Sequence, residues 1–237
     1  MPLRFQDRRD KLAAQAPQKW LENLAPKVAR LREELARRDP WQLADRSGAL
    51  YDPKQQTLQI QLWDRLYTLN PPEYVARDAS GAEANLDRQA LLLMYLDKAD
   101  GTPLAHKWVA YRELPGGMFY ADAFRGYAER RLAQAFNGDV EKFRAAALRL
   151  KGDRLTFGDA SFEFRAMPRI LVGAVYWMGD EDLPSNATIL FDAAASHYLP
   201  TDVVGALGSQ LVSRLIGRAD EGAQTLTALA VQPPPSE

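Results

Sequence analysis

The sequence contains no cysteine. Disulfides, thiolate zinc sites, iron–sulfur ligation and cysteine nucleophiles are therefore excluded. Histidine is nearly as scarce. His106 and His197 are the two present, too few for a three-histidine zinc site. No charge of one sign dominates: Lys and Arg number 30, Asp and Glu 31, for a net charge of −1. Phosphate backbones and anionic membrane surfaces need a positive field, so neither a nucleic-acid nor a membrane partner is expected. The longest apolar run, Ile170 to Met178, is too short to span a bilayer. Pro2 to Arg9 lacks the apolar core of a signal peptide. These absences predict a soluble, cytoplasmic protein. Also missing are a Walker loop, a dinucleotide-binding glycine fingerprint, a His-Glu-x-x-His pair and a Gly-x-Ser-x-Gly elbow.

What is present is a chain of 237 residues, 46% apolar, enough for a sizeable core. Helical spacing of Leu12, Trp20, Leu21, Leu24, Val28, Leu31 and Leu35 predicts helix over 8–38, interrupted at Pro17 and restarting near Pro26. Asp39-Pro40 should end it. Thr57 to Leu62 alternates polar and apolar residues, and Trp63 to Leu69 follows through a tight reversal, an antiparallel meander. Leu86 to Leu96 has almost no polar face and predicts a buried central helix. Lys107 to Arg112 reads as a strand, then Leu114-Pro115-Gly116-Gly117 as a turn. Helices follow over Asp122–Phe136 and Val140–Leu150. Phe157–Ala166 and Ile170–Trp177 read as strands, the second buried on both faces. Thr188–Phe191 is extended, and Thr201 should cap a last helix with Val204, Leu207, Leu211 and Leu215 on its apolar face. Strands and helices do not alternate regularly. The expected class is α+β: a mostly antiparallel sheet flanked by helices, with an N-terminal helical segment over 1–41, one domain over 42–220 and a flexible tail over 221–237.

Four segments contain residues able to do chemistry. In His106 to Gly117, strand alternation puts Trp108, Ala110 and Arg112 on one face, Lys107, Val109 and Tyr111 on the other. Lys107 or Arg112 suits a carboxylate or phosphate, while Arg112 and Glu113 equally suit a structural ion pair. In Tyr176 to Asp182, three carboxylates (Asp180, Glu181, Asp182) follow a buried strand. They could bind a hard cation, but lack the spacing of a calcium loop, and charge runs usually face water. In Phe191 to Pro200, Asp192 and Ser196 lie near His197. Nothing there resembles a nucleophile elbow, so His197 is read as a general base, as a metal or macrocycle ligand, or as an ordinary half-buried histidine. Finally, a two-His-one-carboxylate iron site would need His106 and His197 together, although 91 positions separate them. The aromatics Trp108, Tyr111, Trp177 and Tyr198 fall in these same segments, where aromatic side chains more often form core than pocket.

At these residues the chain resembles a family of unknown function, DUF3786. The resemblance lies in Leu91 to Leu96, Thr102-Pro103, Lys107-Trp108, Arg112 to Gly117, Gly158-Asp159, Met167-Pro168-Arg169, Trp177 to Glu181, Ile189 to Asp192 and Ser196 to Pro200. It covers roughly residues 42–216. The family's activity is unsettled. Its members are frequent in anaerobic bacteria and archaea. Some are fused to cysteine-rich iron–sulfur segments and some are encoded near corrinoid-dependent one-carbon enzymes. Without cysteine, this chain inherits no iron–sulfur cluster.

The expectation with most support from the residues is a binding or accessory protein that holds a planar, carboxylate-bearing cofactor such as heme or a corrinoid, or another anionic small molecule. His197 would be the metal ligand. Lys107 and Arg112 would meet the carboxylates, and Trp108, Trp177 and Tyr198 would wall the pocket. One alternative is a metal-assisted hydrolase or lyase using His197 with Asp180, Glu181 or Asp192. Another is a structural protein that docks a protein partner on its N-terminal helix.

Overall fold

The computed structural model describes residues 24–230, with side chains as far as Ala219. Leu12, Pro17, Trp20 and Leu21 of the expected first helix lie outside the described residues, as do 231–237 of the expected tail. The chain divides into two compact units, Met1–Thr102 and Pro103–Glu237, so the division falls at 102/103, whereas the sequence placed a boundary near residue 41.

In the first unit, helix α1 (24–35) buries Leu24, Val28, Leu31 and Leu35. Its far end is tied down by Arg38, which pairs with Asp97 at 2.5 Å. The described part of the N-terminal helix is thus core of its unit, and not the free docking arm of the partner-binding alternative. Asp39-Pro40 does more than stop α1. Asp39 accepts the N–H of Trp41, and Pro40 opens a second helix, α2 (Pro40–Ser47). The meander has four strands in sequential order: β1 (Leu50–Asp52), β2 (Thr57–Leu62), β3 (Arg65–Asn70) and β4 (Val75–Arg77). Trp63 sits in the expected tight reversal, at φ 55°, because Leu62 pairs with Arg65 and leaves room for two residues. α3 (Leu86–Lys98) is buried from Gln89 through Leu96, as its sequence requires. Each fully covered leucine along it contributes roughly 1.5–3 kcal/mol.

One polar residue lies inside that buried stretch. The Gln89 amide stands where another strand would pair with β4. Its Oε1 accepts the N–H of Ala76 at 2.8 Å, and its Nε2 donates to the carbonyl of Ala76 at 3.3 Å. Arg32 also donates to Oε1, at 3.1 Å.

The second unit is built on a five-stranded antiparallel sheet ordered β5-β9-β8-β7-β6. The strands are β5 (Trp108–Ala110), β6 (Asp153–Arg154), β7 (Ala160–Met167), β8 (Ile170–Trp177) and β9 (Asn186–Asp192). β8 is central and buried until Trp177. Both sheets are antiparallel and the chain is α+β.

Over one face of this sheet lie α6 (Val140–Arg149) and α7 (Thr201–Ala230), together with a single helical run made of α4 (Ala121–Phe124), a π-turn (Arg125–Glu129) and α5 (Arg130–Phe136). Phe143 stacks on Tyr176 at 5.2 Å and meets Phe136 edge-on at 5.4 Å. Thr201 is the first residue of α7, and its hydroxyl donates to the carbonyl of Pro115 at 2.7 Å.

The π-turn has a readable cause. The buried residues Phe124, Ala128, Leu132 and Phe136 recur every fourth position. At about 100° per residue, such a row drifts by about 120° over twelve residues of α-helix. One extra residue in a π-turn removes most of that drift and keeps the row on the sheet.

Candidate functional site

The strand expected over Lys107–Arg112 is real only for Trp108–Ala110. Tyr111–Glu113 is a 3-10 turn. Glu113 folds back so that its carboxylate accepts the N–H of Ala110 at 2.7 Å. The anticipated Arg112–Glu113 ion pair is therefore absent, and Arg112 makes no ion pair among the described residues. The turn also breaks strand alternation: Tyr111 goes inward and Arg112 outward. Gly117 closes against it, and a Cβ there would lie 2.0 Å from the Tyr111 carbonyl oxygen, so no other residue fits without moving the turn.

Because β5 ends at Ala110, its pairing with β9 stops at Leu190, while β8 pairs with β9 as far as Asn186. The Asn186–Ile189 stretch of β9 thus has no strand partner on its β5 side. The π-turn fills that gap. Glu129 Oε1 accepts the N–H of Ile189 at 3.2 Å.

Around this junction is a cleft of about 460 Å³, within the range of small-molecule sites. Its polar lining is Arg112 from the 3-10 turn, Arg125 and Glu129 from the π-turn, and Asn186 and Thr188 from β9. Phe124, buried and stacked on Tyr111 at 4.3 Å, gives it an apolar wall.

The electrostatics of the cleft centre on Glu129. Burial raises the Glu129 carboxyl above its ordinary value of 4.5, against the opposing pull of the Ile189 N–H and the Arg125 and Arg112 guanidiniums. Arg125 is also 3.5 Å from Asp122, an exposed pair that constrains it little. Burial likewise raises the phenols of Tyr111 and Tyr127, which stay neutral donors. Two cations and a half-buried carboxylate facing one concavity can hold an anion and exchange a proton with it.

The residues proposed from the sequence divide between the two ends of β9. At its C-terminal end, pairing of Trp108 with Asp192 sets His106, Lys107 and Trp108 beside Asp192, which opens the turn leading to His197 and Tyr198. Yet this end is structural. The buried Asp192 carboxylate accepts N–H groups from Ala105 at 3.0 Å, His106 at 2.7 Å and Ala194 at 2.9 Å, which fixes the loop and caps the 3-10 turn Ala193–His197. Tyr198 is fully buried core, and Trp108 lies across Gly173, where a Cβ would come within 3.3 Å of its ring. Lys107 and His197 are exposed.

Arg112 and Trp177 belong to the opposite end of β9. Trp177 pairs with Asn186 and packs beside Gly158. His197 and Arg112 therefore do not face a common hollow. The acidic turn closes on itself: Asp180 Oδ1 accepts N–H groups from Asp182 at 3.0 Å and Leu183 at 2.8 Å. Among the described residues, no three histidine or carboxylate side chains stand together so that they could share a metal ion.

Arg125, Glu129, Asn186 and Thr188 are functional candidates that the sequence did not single out. Two signals were available: Gly126 within a helical run, and the four-residue spacing that calls for a π-turn, a feature frequent at functional sites.

These features define an α+β protein with a charged cleft beside the stretch of β9 that lacks a strand partner. A family model described as a domain of unknown function, DUF3786, matches residues 39–214, and the chain belongs to that family. No curated protein and no solved structure matches it. Several motifs that carry the resemblance shape turns: Asp159 accepts the N–H of Met178 at 2.8 Å, and Arg165 donates to the carbonyl of Pro168 at 2.6 Å. No helix among the described residues is long and apolar enough to cross a membrane.

Proposed function

We propose that this chain is a binding or accessory protein that holds an anionic small molecule in the cleft between the Tyr111–Glu113 turn, the π-turn and the first residues of β9. The observation that supports this most directly is that Arg112, which has no ion-pair partner among the described residues, and Arg125 line one cleft together with Glu129. Guanidiniums present forked donors that match carboxylates and phosphates. Asn186 and Thr188 add neutral hydrogen-bonding groups, and Phe124 an apolar surface. Met118, Phe119 and Tyr120 lead into the cleft wall at Ala121 and are exposed, Phe119 by 88%. An organic anion with an apolar body suits this lining better than a bare inorganic ion.

A tetrapyrrole with carboxylate side chains belongs to that class of ligand. Its carboxylates would go to Arg112 and Arg125. His197, at the other end of β9, would not be its axial ligand.

Calorimetric titration with a panel of mono-, di- and tricarboxylates and phosphate esters tests the proposal. Saturable binding that Arg112→Ala and Arg125→Ala each weaken about tenfold, and that His197→Ala leaves unchanged, is the expected result. Heme and cobalamin belong in the panel, read by visible spectroscopy. A band shift lost in His197→Ala would place the site at the other end of β9 and overturn the assignment.

A further inference from the structure

We infer that the cleft takes up its anion together with one proton from solvent, and that the proton goes to the carboxylate of Glu129. The inference rests on the anion-binding assignment above. Glu129 has two oxygens in different situations. Oε1 is committed to the Ile189 N–H, whereas Oε2 has no protein partner among the described residues. Protonation at Oε2 leaves the bond at Oε1 intact, since the carbonyl oxygen of a neutral carboxyl still accepts. It also turns Oε2 from an acceptor that repels an anion into an O–H donor for it. No covalent bond other than this O–H forms and none breaks.

The surrounding charges favour this coupling. Two cations act on Glu129: Arg125 from its own turn and Arg112 from the 3-10 turn. The neighbouring stretch of β9 supplies Asn186 and Thr188, which are uncharged. From α4, Asp122 is held on Arg125, and from α5 the Arg131 guanidinium is bonded to the Ser213 hydroxyl at 2.9 Å. α7 packs Gly205 on Tyr111 and Gly208 on Phe124, and its Asp202 acts on Tyr111. With Glu129 ionised, an incoming carboxylate meets two cations and one anion. With Glu129 neutral, it meets the cations alone. Binding the anion therefore favours the protonated form, and by linkage protonation strengthens binding by the same factor. Burial already shifts this carboxyl in the required direction.

Benzenesulfonate and benzene-1,3-disulfonate are suitable probes, because each joins an apolar body to anionic groups that do not titrate between about pH 5.5 and 8, so any proton taken up belongs to the protein. Titration of the full chain in two buffers of different ionisation enthalpy should show proton uptake on binding, up to one per anion. Affinity should fall by up to about tenfold per pH unit above the unliganded titration range of Glu129. Glu129→Gln, which keeps the acceptor for Ile189 and adds a donor, should bind at least as tightly, without proton uptake and with a flat pH profile. Binding by the wild type that is saturable but independent of pH and buffer overturns the proton coupling and leaves the anion site standing. Absence of benzenesulfonate and benzene-1,3-disulfonate binding in both proteins, across the whole pH range and with both folded by circular dichroism, overturns the coupling. Absence of binding for every anion in the organic panel removes the anion site as well.

Discussion

Glu129 reaches from the π-turn to β9, where its Oε1 accepts the Ile189 N–H at 3.2 Å. A side chain thereby occupies the place that a neighbouring strand would take if β5 ran on past Ala110. The gap it fills is also the cleft, so the same carboxylate completes the sheet edge and sets the charge of the site.

Stability should respond to that arrangement. The folded state raises the Glu129 carboxyl above its ordinary 4.5. Its contribution is fully present below that ordinary value and is lost as pH rises through the raised one. Relative to Glu129→Gln, the wild type should lose stability over that window and run parallel to it at higher pH. Urea melts at half-unit pH steps measure this, and a constant difference between the two proteins from acid to neutral pH would contradict it.

At the other end of β9, Asp192 is predicted to matter for folding. It is buried and accepts three backbone N–H groups. Asp192→Ala leaves those donors unpaired and should cost about 2–5 kcal/mol. Asp192→Asn retains one acceptor oxygen and turns an amide donor toward another N–H, for a loss of about 1–3 kcal/mol. Chemical denaturation gives both values. Anion binding by the folded fraction should be unaltered, which separates this residue from the cleft.

Gly117 links turn geometry to the site. The Cβ of Gly117→Ala would have to displace the Tyr111 carbonyl, 2.0 Å away, and with it the turn that carries Arg112. Anion affinity should fall about tenfold or more, with a stability loss of about 1–3 kcal/mol. Gly126→Ala, where nothing lies within 4 Å of the added methyl, is the matched control and should stay close to wild type in both measurements.

In the first unit, Gln89→Leu keeps the side-chain bulk but removes both bonds to Ala76. The N–H of Ala76 would remain buried and unpaired, while its carbonyl keeps the N–H of Ala84 at 2.9 Å, for a cost of about 1–3 kcal/mol. Hydrogen exchange should locate the loss, with protection falling at Ala76. Retained protection there would mean that another group had replaced the glutamine amide.

The amino-acid sequence by itself determined what depends on local periodicity and on composition. The buried run of α3, the apolar β8, the meander and the absence of thiolate chemistry all follow from spacing or from residues the chain does not contain. Turn chemistry was half legible: Asp39-Pro40 stops α1, but that it also caps α2 depends on backbone angles the residue names do not specify. The site was decided by tertiary structure. Arg112 was named from the sequence for its charge, yet it joins Arg125 and Glu129 because β5 yields to a 3-10 turn one residue before it and because the following helix takes one extra residue in a π-turn. His197, named for its chemistry, is carried to the far end of β9. Chemical type is a property of one residue. Which charges share a concavity depends on where a strand stops pairing, and that is fixed by contacts between segments far apart in the chain.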